Sequence, residues 1–145
     1  MPEAQSNPAP ARRPIVPFLH LGTDAGEPDR LHGFKCGRCG ALYLSARVAC
    51  AKCSAEGGFQ EVALSTRGKL YVYSIVHQSA PGVAVPFVSA IVDLDDGIAV
   101  RCTLIDVEPD PAKIRFDMPV EMITRTVRQD KEGTEVVAFF FRPAR

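Results

Sequence analysis

Four of the five cysteines form two CxxC pairs, Cys36-Gly37-Arg38-Cys39 and Cys50-Ala51-Lys52-Cys53. A two-residue spacer lets the chain curl into a tight knuckle that aims both sulfurs at one point, and two knuckles together make the tetrahedral four-thiolate set that Zn(II) prefers. Gly40, directly after Cys39, suits such a turn because glycine tolerates positive φ. The segment between the pairs, GALYLSARVA, has room for two short strands and a turn, so the predicted unit is a compact ribbon. Three other chemistries compete. Disulfides need an oxidising compartment, and no secretory signal is visible in MPEAQSNPAPARRP. A redox CxxC normally opens a helix within a βαβ pattern and needs no second pair. Iron in four thiolates satisfies the same geometry and stays open beside zinc. Either ion, closed off by four thiolates, has no position for water or substrate, so its role is structural.

Cys102 stands apart in the apolar-rich run IAVRCTLI, where a small buried hydrophobe is expected. A nucleophile there would need a base, and His77 is the only histidine in the second half of the chain. His20 and His32 precede the cysteine pairs and read as solvent-facing or packing residues. No acid/base pair, nucleophile–base arrangement or phosphate loop is evident.

The elements that must position these residues are short. Twelve prolines and eleven glycines in 145 residues leave little room for long helices, and turn-linked strands fit more easily. Five of the prolines fall in the first 17 residues, four of them in residues 1–14, which read as a flexible tail. Residues 15–33 read as a short helix or docking segment, residues 34–66 as the zinc ribbon, and residues 67–145 as a barrel. Within the last part, predicted strands run over 69–78, 87–94, 98–105, 120–128 and 134–141. Asp95-Asp96-Gly97 signals a two-residue hairpin turn, and Pro109 and Pro111 break the chain between the third and fourth strands. Five strands with that break are expected of an OB-fold barrel. The fold class is therefore mainly β: a rubredoxin-like zinc ribbon followed by a five-stranded OB-fold barrel.

Seventeen basic and seventeen acidic side chains cancel, so there is no global field to attract nucleic acid or an anionic membrane. Residues 69–145 carry nine Lys/Arg against eleven Asp/Glu, the wrong sign for a groove that tracks a phosphate backbone. No stretch of about 18 apolar residues occurs, and a cytoplasmic location without a membrane partner is expected.

The order CGRCG, Arg47, CAKC, a glycine before the first barrel strand, then PFVSAIVDLDDG and MPVEM resembles the family of small zinc-ribbon and OB-fold proteins associated with acyl-CoA enzymes. The resemblance covers about residues 30–142. It departs from the family near Ser45-Ala46, where members often carry prolines, and near Asp117, where they often carry glycine. Gly22, Gly26 and Pro28 also allow only shorter N-terminal helices than the family's. The resemblance implies a non-catalytic accessory subunit, docked to a thiolase-like, aldolase or hydratase partner in a hetero-oligomer. It implies coenzyme A thioester as a shared ligand, beside one structural zinc. Coenzyme A phosphates would need local cations, and the knuckle spacers place Arg38 and Lys52 beside the metal with Arg47 between the pairs. The same three read more readily as solvated surface charges balancing the thiolates, since knuckle spacers usually face water. The alternative function is a zinc-ribbon and OB-fold nucleic-acid binder, against which the charge balance counts.

Overall fold

A computed structural model describes residues 11–23 and 26–145. All its regular elements are strands: β1 (Arg12–Pro14), β2 (Leu19–His20), β3 (Arg30–Cys36), β4 (Leu42–Tyr43), β5 (Phe59–Ala63), β6 (Arg67–Val76), β7 (Phe87–Leu94), β8 (Ala99–Leu104), β9 (Pro119–Gln129) and β10 (Glu135–Pro143). No helix among the described residues is long and apolar enough to cross a membrane.

The last five strands close into a barrel in the order β6-β7-β8-β10-β9, with β9 pairing back onto β6. All contacts are antiparallel except β8 with β10, which is parallel. Alternation explains the closure. In β7 the pattern FVSAIVDL buries Val88, Ala90, Val92 and Leu94, and these pack inward with Leu70, Val100, Val120 and Phe141. Closure also requires one backbone position without a side chain. Gly68 pairs with Leu94 on one side and Val120 on the other, and a Cβ there would collide with the Asp93 carbonyl.

The predicted strands match within about two residues, and the fold class expected from the sequence is the one observed. One turn differs. The hairpin at 95–97 is a three-residue loop, not a two-residue one: Leu94 N–H donates to Ile98 O, and only Gly97, at φ 93°, has positive φ there. The loop at 131–133 repeats this, with Asp130 bonded to Thr134 and Gly133 at φ 80°. A turn followed by one left-handed residue fits the twist of the flanking strands as well as a primed two-residue turn does.

The ribbon is a small sheet in which β3 is flanked by β4 on one side and by β5 on the other, while β2 pairs with the start of β3. Between the cysteine pairs there is one short strand, β4, rather than two. Residues after Tyr43 instead form a loop that returns through an Ala49–Glu56 bridge. The expected tail begins outside the described residues, but its last part is ordered: Arg12, Arg13 and Pro14 pair in parallel with Glu135, Val136 and Val137 of β10. The proline is accommodated because it ends this edge strand. Residues 15–21 form a docked turn and β2 rather than a helix.

Ribbon and barrel share one hydrophobic core. Leu19, Leu31 and Leu64 are buried in the same cluster as Val92 and Phe141, and Phe18 meets Phe139 edge-on at 5.8 Å. Asp29 fastens the N-terminal segment to the barrel. It accepts from Gly22 N–H (2.8 Å), from Thr124 Oγ1 of β9 (2.6 Å) and from the Arg12 guanidinium (3.1 Å). Partial burial works against ionisation of Asp29, but the Thr124, Gly22 and Arg12 donors together outweigh it and hold the carboxyl below its ordinary range.

Candidate metal centre

The first knuckle follows β3 and the second follows the loop after β4. In each, the leading cysteine is buried and accepts backbone hydrogen bonds from its own turn: Cys36 from Cys39 and Arg38, Cys50 from Cys53 and Lys52. Gly40 N–H donates to Cys36 O, and Ser54 N–H donates to Cys50 O, so the two turns are built alike. Gly40 and Ser54 both have positive φ, 78° and 63°. Serine therefore does at the second knuckle what glycine does at the first.

The four sulfurs converge. Cys36 and Cys53 Sγ lie 3.7 Å apart, Cys39 and Cys50 Sγ 3.5 Å, and all four lie within 4.8 Å of one another. A tetrahedral ion with bonds of about 2.3 Å to sulfur has edges of about 3.8 Å. The four cysteines can therefore hold a metal ion with little adjustment, and the spacing signal is realised in three dimensions. The Cys50 thiol is lowered to about 6, first by the Tyr43 hydroxyl 3.3 Å away and then by the knuckle amides. A thiol so lowered is thiolate at neutral pH, the form that binds metal. Cys39 is pushed up to about 11: the Ala41 amide favours its thiolate, but desolvation and the neighbouring sulfurs prevail.

Sequence reading missed Tyr43. Its hydroxyl donates to Cys50 and accepts from Ala51 N–H at 3.1 Å; the bond to Cys50, with burial, holds the phenol above its ordinary pKa against the opposing pull of the Ala51 amide, and its ring carries the Arg47 guanidinium 4.2 Å above its centre. A tyrosine inside GALYL gives no spacing clue, because strand alternation decides which way it points.

Arg38, Arg47 and Lys52 are all exposed. Arg47 is held against Tyr43, a cation–π contact that fixes one of the three cations beside the second knuckle. Cys102 is half-buried against the barrel core, not fully enclosed, and burial pushes its thiol up to about 12. His20 and His32 are neither isolated nor simply packed. Their rings stack at 3.7 Å and 5°, and both reach Glu61. A cavity of about 460 Å³ lies alongside, lined by Pro17, Phe18, Phe34 and Leu44 with His32 and Glu61 as polar members.

Comparison with known proteins places this architecture. Residues 61–125 match the model of the ChsH2 C-terminal OB-fold domain. A DUF35 domain-containing scaffold protein of Methanocaldococcus jannaschii is 33% identical over 116 residues, 78% of this chain and 81% of that protein. The benzoylsuccinyl-CoA thiolase subunit BbsA of Thauera aromatica is 32% identical over 146 residues, 98% of this chain and 99% of the subunit. Among solved structures, the Ltp2-ChsH2(DUF35) aldolase superposes with a TM-score of 0.63 at 27% identity, covering 80% of this chain and 86% of the matched chain. Identity of this extent, over most of both chains and across the ribbon as well as the barrel, makes the protein a member of the DUF35 family.

Proposed function

We propose that this chain is a non-catalytic accessory subunit of a thiolase-like acyl-CoA enzyme, docking to the catalytic subunit, with its ribbon held by one structural zinc at Cys36, Cys39, Cys50 and Cys53. The observation that carries the reading is the end-to-end similarity to BbsA, whose name makes it a subunit of a benzoylsuccinyl-CoA thiolase. The matched Ltp2-ChsH2(DUF35) aldolase offers the same kind of setting, a DUF35 protein named together with an aldolase. The chemistry of the chain agrees. A thiol pushed up to about 12 is a poor nucleophile at neutral pH, which argues against Cys102 as an independent active centre. Four thiolates fill the coordination sphere of zinc, so the ion would orient the knuckles and leave no position for substrate.

Arg38, Arg47 and Lys52 are the cations we assign to the phosphates of coenzyme A, shared with the partner. Support comes from their exposure on and between the knuckles, and from the Tyr43 ring that restrains Arg47. The decisive experiment is reconstitution with the thiolase-like protein co-purified from native cells. Neither the isolated chain nor its Cys102→Ala variant should turn over acyl-CoA, and adding the chain should raise partner activity. Robust turnover by the chain alone, abolished in Cys102→Ala, would overturn the reading. Calorimetry of coenzyme A binding to the complex should show roughly tenfold weakening in each of Arg38→Ala, Arg47→Ala and Lys52→Ala. Unchanged affinity in all three would leave them as surface charges.

A further inference from the structure

His20 lies on β2, His32 on β3 and Glu61 on β5, three neighbouring strands of the ribbon sheet. Their register makes them diagonal neighbours on one face. His20 pairs with Arg30, two residues before His32, and Glu61 pairs with Phe34, two residues after it. The opposite face of the same strands carries Leu19 and Leu31 into the core, so the backbone under the cluster is anchored. Sheet pairing therefore supplies what a metal site requires, side chains from fixed strands aimed at one point.

That point is one oxygen. His20 Nε2 lies 3.1 Å and His32 Nδ1 3.3 Å from the same Glu61 Oε1. A tetrahedral ion with nitrogen and oxygen ligands at about 2.0–2.1 Å has donor–donor edges of about 3.3–3.4 Å. Both histidine-to-carboxylate separations stand close to that value, and all three donor atoms lie within 4.8 Å of one another. The side chains of His20 and Glu61 are each 48% exposed and that of His32 26%, which admits an ion and leaves room for the rings to turn out of their stack toward it.

We propose that His20, His32 and Glu61 form a second metal site, independent of the ribbon cysteines, that takes one divalent first-row cation, zinc by preference. Two imidazoles and one carboxylate are a borderline donor set suited to zinc and its neighbours in the series, unlike the all-sulfur set of the knuckles. Three protein donors leave at least one position for water or an outside ligand. His32 and Glu61 also line the apolar cavity of about 460 Å³, so a ligand seated there would have access to that position. The site thus has the open form of a metal centre that exchanges ligands. In the absence of metal, the same carboxylate oxygen accepts a hydrogen bond from His32 and lies 3.1 Å from His20 Nε2.

The test uses the untagged full chain purified with one equivalent of zinc and titrated with Co(II), read by absorption and by equilibrium dialysis. The expected result is one further equivalent of bound cobalt with weak d–d bands and no intense sulfur-to-cobalt charge transfer, since nitrogen and oxygen donors cannot produce it. His20→Ala and Glu61→Gln, both at half-exposed positions, should retain the first zinc equivalent and weaken the second site at least tenfold. Loss of an outer partner alone commonly weakens metal binding by about 10–100-fold, and loss of a ligand should do no less. Absence of a second equivalent at millimolar Co(II), an unchanged second equivalent in both variants, or thiolate charge-transfer bands at the second equivalent would each overturn the proposal.

Discussion

The two donor clusters of the ribbon are built on opposite principles. The cysteines come from two local turns with identical spacing, each knuckle carrying its own amide donors to sulfur. The histidines and Glu61 come from three strands, with 41 positions between the first donor and the last, and meet only because β2, β3 and β5 pair in one register. A local cluster survives small changes in the rest of the fold, whereas a cluster assembled by register shifts apart if one strand slips by one residue. The first is closed and soft, the second open and borderline. One small sheet thus holds a site suited to holding structure and another suited to exchange.

The largest effect should come from breaking the local cluster. Cys50→Ser, or exhaustive chelation, should remove the bound ion and abolish amide protection in β4 and both knuckles, because metal binding and folding of such a unit are one equilibrium. Elemental analysis together with hydrogen exchange checks this, and a metal-free protein with an unchanged ribbon would contradict it. Next in size is the shared core. Leu31, fully buried beneath the histidine face, should cost about 2–5 kcal/mol on replacement by alanine, in a single unfolding transition monitored by denaturant. Two separated transitions would mean that ribbon and barrel are independent units.

A smaller loss, about 1–3 kcal/mol, is expected for Asp29→Ala, which leaves Gly22 N–H and Thr124 Oγ1 without their acceptor. This contribution depends on pH in a defined direction. The folded carboxyl is held below its ordinary value of 3.8, so the stabilisation is fully present above that value and is lost as pH falls through the lowered one. Acid unfolding of the wild type should therefore be steeper below about pH 4 than that of Asp29→Asn. The smallest effect belongs to the histidine cluster. Without added metal, His20→Ala and Glu61→Gln should each change stability by no more than about 0.5 kcal/mol, since half-exposed ion pairs contribute little. Thermal melts with and without zinc would show the contrast: a metal-dependent difference sharpens the comparison between the clusters, and its absence removes it.

The barrel was legible in the sequence because its strands are long and alternate. FVSAIVDL buries every second residue, and the observed β7 has the bounds read from it. The turn at Asp96-Gly97 was recognised by its residues but not by its length, since Asp-Gly serves two- and three-residue hairpins alike. Arg12–Pro14 reads as tail in the sequence because three residues carry too little pattern to mark a strand. Their pairing to β10 depends on an edge that exists only once the barrel has formed. Phe18 and Leu19, in an apolar stretch that suits either a helix turn or a docked strand, were decided by contact with Phe139 and Leu31.

Composition, spacing and alternation by themselves determined that the chain would be mainly β, that its cysteines would gather, and where the barrel strands would run. Each of these properties is set by interactions between residues close in sequence or by the period of a single strand. Only the tertiary structure decided that Tyr43 would turn toward Cys50, that ribbon and barrel would share one core, and that His20, His32 and Glu61 would meet at a single oxygen. The first depends on which face of β4 meets the second knuckle, and the other two on strand order and register across long separations. Register is chosen by burial of the opposite face, here Leu19 and Leu31, and not by the residues that it brings together.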